Sequence, residues 1–207
     1  KMEGSPMDVG NPKYGSQEAL VIFDDVFVPW ERVFMCGEHE QSGKVVERFA
    51  AYHRQSYGGC KVGVGDVLVG AAQLAASHGG VDRVSHVRDK ITEMIHLNET
   101  LFSCGIACSS RGEATPSGCY MVDMMLANVC KHNVTRFPFE ISRLLQDIAG
   151  GLVVTMPSQK DFENPEVASY LEKYLKGSVD IPTIDRIKIL KFIENMTMGC
   201  GATAYLT

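Results

Sequence analysis

The chain has 207 residues, of which 45% are apolar and 22% charged, and its formal net charge is −5. This composition is typical of a soluble globular protein, and the length suits one large domain or one domain with part of another. The acidic balance gives no electrostatic reason to expect a nucleic-acid partner or an anionic membrane surface. No apolar run approaches the roughly 20 residues of a transmembrane helix. The seven cysteines lack the spacing of a small secreted scaffold, which favours a reducing cytoplasm.

The first part of the sequence differs from the rest. Residues 1–17 contain several glycines and prolines among polar residues, which predicts a loop. Residues 18–28 are rich in Val, Ile and Phe and are interrupted by Asp24-Asp25, so we predict two short strands with a turn at the aspartates. The chain begins at Lys1 without an initiator methionine and stops within an apolar stretch. We therefore expect it to be a piece of a longer polypeptide.

From residue 38 onward, apolar residues recur at three- and four-residue spacings, which predicts helices. The predicted helices cover residues 38–78, 81–111, a segment from about 120, 141–148, a short segment from 164 to 176, and a last segment from 182. Glycine pairs at 79–80 and 150–151 mark two of the helix ends. The fold class that we predict is mainly α, with a bundle of four or more long helices after a short β segment.

Residues 53–61, HRQSYGGCK, concentrate reactive groups within the first long helix. On an unbroken helix His53 and Tyr57 share a face, and Cys60 lies two turns along it. Seven residues of helical rise is roughly 10 Å, which is too far for one small ion to bind both His53 and Cys60. Either the helix opens at the two glycines, or the pair binds something larger than a single ion.

Thiolate and imidazole ligands together suit zinc, copper or an iron–sulfur cluster. In the alternative interpretation Cys60 is a buried small hydrophobic residue and His53 a hydrogen-bonded core residue. Cys104 and Cys108 lie four residues apart on the second predicted helix and could also present two thiols on one face. We interpret that second pair as buried core residues.

Residues 53–65, HRQSYGGCKVGVG, resemble the segment of the 4-hydroxybutyryl-CoA dehydratase family that carries two ligands of its [4Fe-4S] cluster. That family belongs to the flavin-dependent 4-hydroxyphenylacetate hydroxylase group, on an acyl-CoA dehydrogenase-like fold. The resemblance extends over the whole chain. It implies that residues 1–36 are the end of a middle β-domain with its linker, and that residues 37–207 are the C-terminal helical bundle domain.

The resemblance also implies roles for individual residues. Cys60 is expected to be a thiolate ligand, and His53 both an iron ligand and a base. Tyr57 is expected to donate a hydrogen bond near the substrate. Glu18 is implied as a second acid/base, and Lys61 as a polar partner of substrate or flavin.

A second segment, beginning at Gln146 and ending at Gly150-Gly151, resembles the glutamine-to-glycine stretch by which this fold contacts FAD. The glycine pair is also a plausible helix C-cap, and both interpretations can hold. The implied cofactors are therefore FAD and a [4Fe-4S] cluster, whose two remaining ligands the family draws from a Cys-x3-Cys in its N-terminal part. The implied partners are an acyl-CoA substrate and further copies of the same chain, in a cytoplasmic homotetramer.

Two other functions remain open on the sequence. One is a flavin-dependent aromatic monooxygenase of the same superfamily, which would bind reduced FAD and oxygen without a cluster. The other is a non-catalytic helical interaction domain in which the motif residues are only packed. Iron analysis of the full-length protein distinguishes the first from a dehydratase, and a failure to bind FAD would favour the second.

Overall fold

The computed structural model describes residues 5–207. Within this range, ten α-helices, two 3₁₀-helices (Trp30–Arg32 and His39–Gln41) and one short hairpin account for the regular structure. The helices are α1 Gly10–Tyr14, α2 Ser42–His78, α3 Ser85–Ser110, α4 Met124–Val134, α5 Phe137–Ala149, α6 Leu152–Thr155, α7 Gln159–Glu163, α8 Ala168–Tyr174, α9 Thr183–Thr197 and α10 Cys200–Leu206; the strands are β1 Glu113–Ala114 and β2 Tyr120–Met121. The predicted mainly α class is confirmed.

The helices predicted from periodicity form, with shifts at their ends. Strand β2 pairs antiparallel with β1, so the helix predicted from about residue 120 begins at Met124 instead. Asp123 caps this helix by accepting the Leu126 N–H at 2.9 Å. The last predicted helix is divided into α9 and α10, which are separated by Met198 and Gly199.

The main core lies where α2, α3 and α5 meet α9 and α10. Their facing sides bury aliphatic and aromatic residues, among them Leu68, Met94, Ile141, Leu145, Ile193, Met196 and Tyr205. Burial of each large apolar side chain stabilises the fold by roughly 1.5–3 kcal/mol relative to exposure. The bundle therefore carries its own apolar core within this chain.

Helix α2, taken with the turn before it as His39–His78, is long and apolar enough to cross a membrane by length and composition alone. The core helix of a soluble protein passes the same test, so the observation is weak by itself. In this structure α2 packs against α3, α4, α5 and α9. These contacts bury part of its apolar surface, including Leu68, Ala72 and Ala76, while Val45, Val46 and Phe49 stay exposed.

The strands predicted within residues 18–28 do not form. The structure assigns no strand there, and only the bend at Asp24-Asp25, with φ of 49° at Asp25, matches the prediction. A strand needs a neighbour to satisfy its backbone hydrogen bonds, and in residues 5–207 no other strand lies beside this segment. Its apolar side chains are exposed, with Phe27 at 86%.

The loop predicted over residues 1–17 is wrong for residues 10–14, which form α1; residues 1–4 lie outside the described range. Asn195 of α9 explains the difference. Its buried Oδ1 accepts the backbone N–H groups of Gly10 at 3.0 Å and Asn11 at 3.2 Å. In return, Asn11 donates to Asp8 Oδ1 at 2.8 Å and accepts the Cys200 N–H at 2.8 Å. These bonds fasten the N-terminal segment to the junction of α9 and α10.

Candidate active site

The motif HRQSYGGCK lies on an uninterrupted stretch of α2. Its first glycine, Gly58, meets Gly105 of α3 backbone to backbone: a Cβ added at Gly58 would lie 2.6 Å from the Gly105 Cα. The second, Gly59, faces open space. The glycines therefore do not open the helix; Gly58 instead allows close packing. The roughly 10 Å of rise from His53 to Cys60 remains, which excludes a single shared ion.

The residues predicted for catalysis and metal binding line one open cleft of ≈ 530 Å³. Its walls come from the segment after α1, from α2 and from the end of α10. The complete lining is Ser16, Glu18, His53, Tyr57, Cys60, Lys61, Ala204 and Thr207. Residues far apart in the sequence, such as Glu18 and Thr207, are thus brought to the motif by the fold.

His53 and Tyr57 form a hydrogen-bonded pair. The Tyr57 hydroxyl lies 2.9 Å from His53 Nε2, and the two rings meet edge to face at a centroid distance of 5.0 Å. Phe49, one turn earlier on α2, stacks on the His53 ring, with the two ring centroids 5.6 Å apart. Tyr57 is buried and His53 is exposed, so the pair connects the interior of the bundle to the cleft.

Lys61 is buried and its ammonium group is fully engaged. It donates to the carbonyl oxygens of Ala204 at 2.6 Å, Thr207 at 3.0 Å and Tyr205 at 3.2 Å. Ala204 and Tyr205 belong to the last turn of α10, where carbonyl groups have no partner within the helix, and Thr207 follows the helix as its C-cap. A helix C-terminus favours a positive charge. Lys61 therefore links the motif to the C-terminal helix.

The pKa of Lys61 is lowered from its ordinary value. The largest cause is burial, which disfavours the charged form. Surrounding charges act in both directions: Cys60 and Glu18 raise the pKa, and Lys131 lowers it. The three carbonyl contacts require the ammonium form to donate fully.

Replacing Lys61 with methionine should loosen α10 without emptying the space beneath it. Because hydrogen bonds to charged groups contribute about 1.5–3 kcal/mol, we expect backbone amides of α10 to exchange at least about tenfold faster. Hydrogen-exchange mass spectrometry measures this directly. The matched control is Lys44→Met, which changes an exposed lysine on the same helix. Equal protection of α10 in both variants would contradict the linking role.

The metal ligands implied by the family resemblance lie in the cleft but do not complete a site. Cys60 is exposed, so the alternative interpretation of Cys60 as a buried core residue is wrong. His53 is exposed as well. Among residues 5–207 no three His, Cys, Asp or Glu side chains converge as a metal site would require. This cleft therefore holds two side chains that can bind iron, the Cys60 thiolate and the His53 imidazole.

The second cysteine pair, Cys104 and Cys108, lies on α3 where it packs against α4. Cys108 is buried, as predicted, and Cys104 is only partly buried. Cys130 of α4 joins them, and its thiol donates to Cys104 Sγ at 3.0 Å. Cys108 donates to the Asp123 carbonyl at 3.2 Å, and Cys104 lies 3.7 Å from that of Leu126. Burial raises the pKa of Cys108 and of Cys130, so both thiols stay protonated.

Gln146, Gly150 and Gly151 lie at the end of α5 and are not part of the cleft lining. The predicted C-cap is confirmed: Gly150 has φ of 73°, and its N–H donates to the Gln146 carbonyl at 2.9 Å. A Cβ at Gly150 or Gly151 would meet nothing within 4 Å. This surface is open, and its contact with FAD stays a prediction.

Sequence reasoning missed two contributors to the site. Lys131 of α4 lies with its Nζ 3.4 Å from the Tyr57 hydroxyl oxygen, and α10 supplies the carbonyl groups that hold Lys61. Neither contact leaves a local signal in the sequence. Lys131 and Tyr57 are 74 residues apart, and Lys61 and Ala204 are 143 residues apart.

Known proteins are similar to this chain over nearly all of its length. Residues 42–207 match the family described as 4-hydroxyphenylacetate 3-hydroxylase C terminal, and residues 1–35 match the corresponding N-terminal family. The 4-hydroxybutyryl-CoA dehydratase/vinylacetyl-CoA-Delta-isomerase of Clostridium aminobutyricum is 53% identical over 99% of this chain and 44% of its own length. The chain therefore spans less than half of this relative.

Solved structures give the same picture. An oxygen-tolerant archaeal 4-hydroxybutyryl-CoA dehydratase from N. maritimus superposes with a TM-score of 0.93 at 58% identity, covering 99% of this chain and 41% of its own. The oxygenase component of 4-hydroxyphenylacetate 3-monooxygenase, complexed with FAD and 4-hydroxyphenylacetate, superposes with a TM-score of 0.78 at 28% identity. The match covers 89% of this chain and 39% of that protein. With its helical bundle matched from α2 to the last residue, the chain belongs to the 4-hydroxyphenylacetate 3-hydroxylase C-terminal family.

Proposed function

We propose that the polypeptide containing this chain is a flavin- and iron–sulfur-dependent 4-hydroxybutyryl-CoA dehydratase, which forms crotonyl-CoA and also isomerises vinylacetyl-CoA. The supporting observation is the convergence of Glu18, His53, Tyr57, Cys60 and Lys61 on one cleft. The two relatives named as dehydratases are 53% and 58% identical to this chain, against 28% for the hydroxylase structure.

The cleft suits part of an iron–sulfur site. Cys60 and His53 supply one thiolate and one imidazole donor, both exposed to the cleft. Their separation of roughly 10 Å along the helix suits a group larger than one ion. A [4Fe-4S] cluster with four protein ligands needs two more, which we assign to a Cys-x3-Cys elsewhere in the full polypeptide.

Dehydration of a 4-hydroxyacyl thioester removes a weakly acidic C–H proton and a hydroxyl group. When bound, FAD supplies one-electron radical chemistry that acidifies the C–H bond, and the cluster supplies a Lewis-acidic iron for the hydroxyl. The side chains of this chain move the protons.

We assign proton transfer to His53 and Tyr57. Tyr57 is the donor toward the departing oxygen. His53 would accept the C–H proton at its metal-binding nitrogen once that nitrogen is released, because the other nitrogen of a bound neutral imidazole already carries a proton. Glu18, which also lines the cleft, is a second acid/base. Lys61 lines the same cleft; for it to contact substrate or flavin, one of its three donors must leave a carbonyl group at the end of α10.

FAD is assigned to the same polypeptide because a member of this family binds it in the 4-hydroxyphenylacetate 3-monooxygenase structure. Gln146, Gly150 and Gly151 are the residues that we expect to contact it, across a subunit boundary. A cytoplasmic homotetramer is consistent with the apolar side chains that this chain leaves exposed between residues 20 and 49, among them Leu20, Phe23, Phe27, Trp30, Phe34 and Phe49.

The function is tested on the full-length polypeptide purified without oxygen. We expect stoichiometric iron, sulfide and flavin, and conversion of 4-hydroxybutyryl-CoA to crotonyl-CoA. The second candidate is a flavin-dependent aromatic monooxygenase, which the 28% identical structure with bound FAD and 4-hydroxyphenylacetate favours. Hydroxylation of a phenol by an iron-free protein would replace the dehydratase with this candidate.

Replacing Tyr57 with phenylalanine in the full-length enzyme should slow dehydration while leaving iron and flavin content unchanged. Only the hydroxyl that contacts His53 is removed, and a positioned proton donor contributes about 10²–10⁴-fold in rate. The matched control is Tyr170→Phe, which removes a hydroxyl from an exposed tyrosine on α8. An unchanged rate for Tyr57→Phe would remove it from the proton path.

A further inference from the structure

Two cysteines on neighbouring helices bring their sulfur atoms into contact. Cys104 lies on α3 and Cys130 on α4, and the Cys130 thiol donates to Cys104 Sγ at 3.0 Å. Neither residue lines the cleft that contains Cys60. The sulfur atoms of a disulfide bond are about 2.0 Å apart, so the two thiols have to approach by about 1 Å to be joined. The pair is therefore placed for a covalent bond between α3 and α4.

Cys108, the third thiol of this cluster, is a poor partner for Cys104. It lies four residues further along the same helix, where two Cβ atoms are about 5–6 Å apart. A disulfide bond needs Cβ atoms at roughly 3.5–4.5 Å. The Cys108 thiol donates to the Asp123 carbonyl at 3.2 Å, and among residues 5–207 the three thiols do not form a metal site. Cys104 and Cys130 are the pair that the geometry favours.

The two thiols of this pair differ in their access to solvent. Cys104 is partly buried, whereas Cys130 is completely buried. Burial raises the pKa of the Cys130 thiol, and its hydrogen bond to Cys104 raises the pKa further. A small oxidant that enters from solvent therefore meets Cys104 first, while Cys130 is held in contact as the second thiol.

We propose that Cys104 and Cys130 form a reversible disulfide bond when the protein meets hydrogen peroxide. Attack of the Cys104 thiolate on the peroxide breaks the O–O bond, releases hydroxide and leaves a sulfenic acid on Cys104. The Cys130 sulfur then attacks the Cys104 sulfur: the S–S bond forms, the S–O bond breaks, and the Cys130 proton leaves with the hydroxyl group as water. Two thiols lose two electrons in total, and one peroxide is reduced to two molecules of water.

The disulfide bond fixes α4 against α3 next to the active-site motif. Cys130 is followed by Lys131, whose Nζ lies 3.4 Å from the Tyr57 hydroxyl oxygen. The two cysteines are 26 residues apart, and the segment between them contains the hairpin and the start of α4. Closing such a loop restricts the open states of the segment. This modification site does not rest on the proposed function.

The first test maps the bond in this chain, which carries its own core. Trypsin cleaves after lysine and arginine, so Cys104 is released in the peptide of residues 91–111 and Cys130 in the peptide of residues 112–131. After brief exposure to hydrogen peroxide and alkylation of the remaining thiols, mass spectrometry should find these two peptides joined, with the mass of two hydrogen atoms lost. Dithiothreitol should separate them again. Peptides that stay separate in the oxidised wild type would overturn the proposal.

Variants assign the bond, because each of the two peptides contains a second cysteine, Cys108 or Cys119. Cys104→Ser and Cys130→Ala should each abolish the joined species. The matched control is Cys119→Ser, which changes an exposed thiol and should leave the joined species intact. Joined peptides that persist in Cys104→Ser, or that disappear in Cys119→Ser, would contradict the pairing. The wild-type map needs no variant to fold, so it decides by itself whether the two peptides become joined.

Hydrogen exchange tests whether the bond fixes α4. Backbone amides of α4 should exchange more slowly in the oxidised wild type than in the reduced wild type, because local opening of this helix is restricted. In Cys104→Ser, peroxide treatment should leave the exchange of α4 unchanged. Equal exchange in the oxidised and reduced wild type would overturn the fixing of α4 against α3.

Discussion

Replacing Cys60 with serine in the full-length polypeptide should remove most of the bound iron and abolish dehydration. An alcohol is a poor substitute for a thiolate as an iron ligand, and the second donor of this chain, His53, cannot hold the group alone. Cys60 is exposed in the cleft, so the substitution leaves the core unchanged. Iron and sulfide analysis of protein purified without oxygen gives the metal content, and a crotonyl-CoA assay gives the rate.

The matched control for that variant is Cys119→Ser. Cys119 is also exposed, but it lies in the hairpin between β1 and β2 and does not line the cleft. Its replacement should leave iron content and turnover at wild-type values. Full iron content in Cys60→Ser would remove Cys60 from the ligand set and, with it, the main argument for a cluster at this cleft.

Replacing Gly58 with alanine should destabilise the chain by about 1–3 kcal/mol, as expected for overpacking of a close contact. The added Cβ would lie 2.6 Å from the Gly105 Cα and 3.1 Å from its nitrogen. Both atoms belong to the backbone, so no side chain can rotate away, and α2 and α3 must separate. Because Tyr57 precedes this position, the separation should also disturb the site.

Gly59→Ala is the matched control, one residue further along the same helix. A Cβ there meets nothing within 4 Å, and alanine favours a helix over glycine by about 0.5–1 kcal/mol. We therefore expect Gly59→Ala to raise the urea midpoint and Gly58→Ala to lower it. Shifts in the same direction would show that the contact between Gly58 and Gly105 does not limit the packing of α2 against α3.

Much of the helical bundle could be predicted from the sequence, because each helix is marked by the spacing of apolar residues within its own segment. Apolar residues at helical spacing mark α2, α3, α5 and α9 directly. The motif is also local: His53, Tyr57, Cys60 and Lys61 lie on α2 within nine residues, and all of them reach the same cleft.

The remaining features depend on partners distant in the sequence. Residues 18–28 have the composition of strands but no neighbouring strand to pair with, so composition alone overpredicted them. Residues 10–14 have the composition of a loop, yet Asn195 organises them into α1. Lys131 has no motif around it, and only the packing of α4 against α2 brings it to Tyr57.

The attachment of α1 to α9 also sets an order of events during synthesis. Gly10 and the Asn195 side chain that accepts its N–H are 185 residues apart in the sequence. At about 5–20 residues per second, a ribosome needs roughly 10–40 s to pass from one to the other. For most of that interval residues 10–34 have been synthesised while the surface on which α1 docks has not, and their Phe and Trp side chains, which stay exposed in the folded chain, are open to chaperones. This segment is therefore among the last parts of the chain to be fixed, even though it is made before the helical bundle.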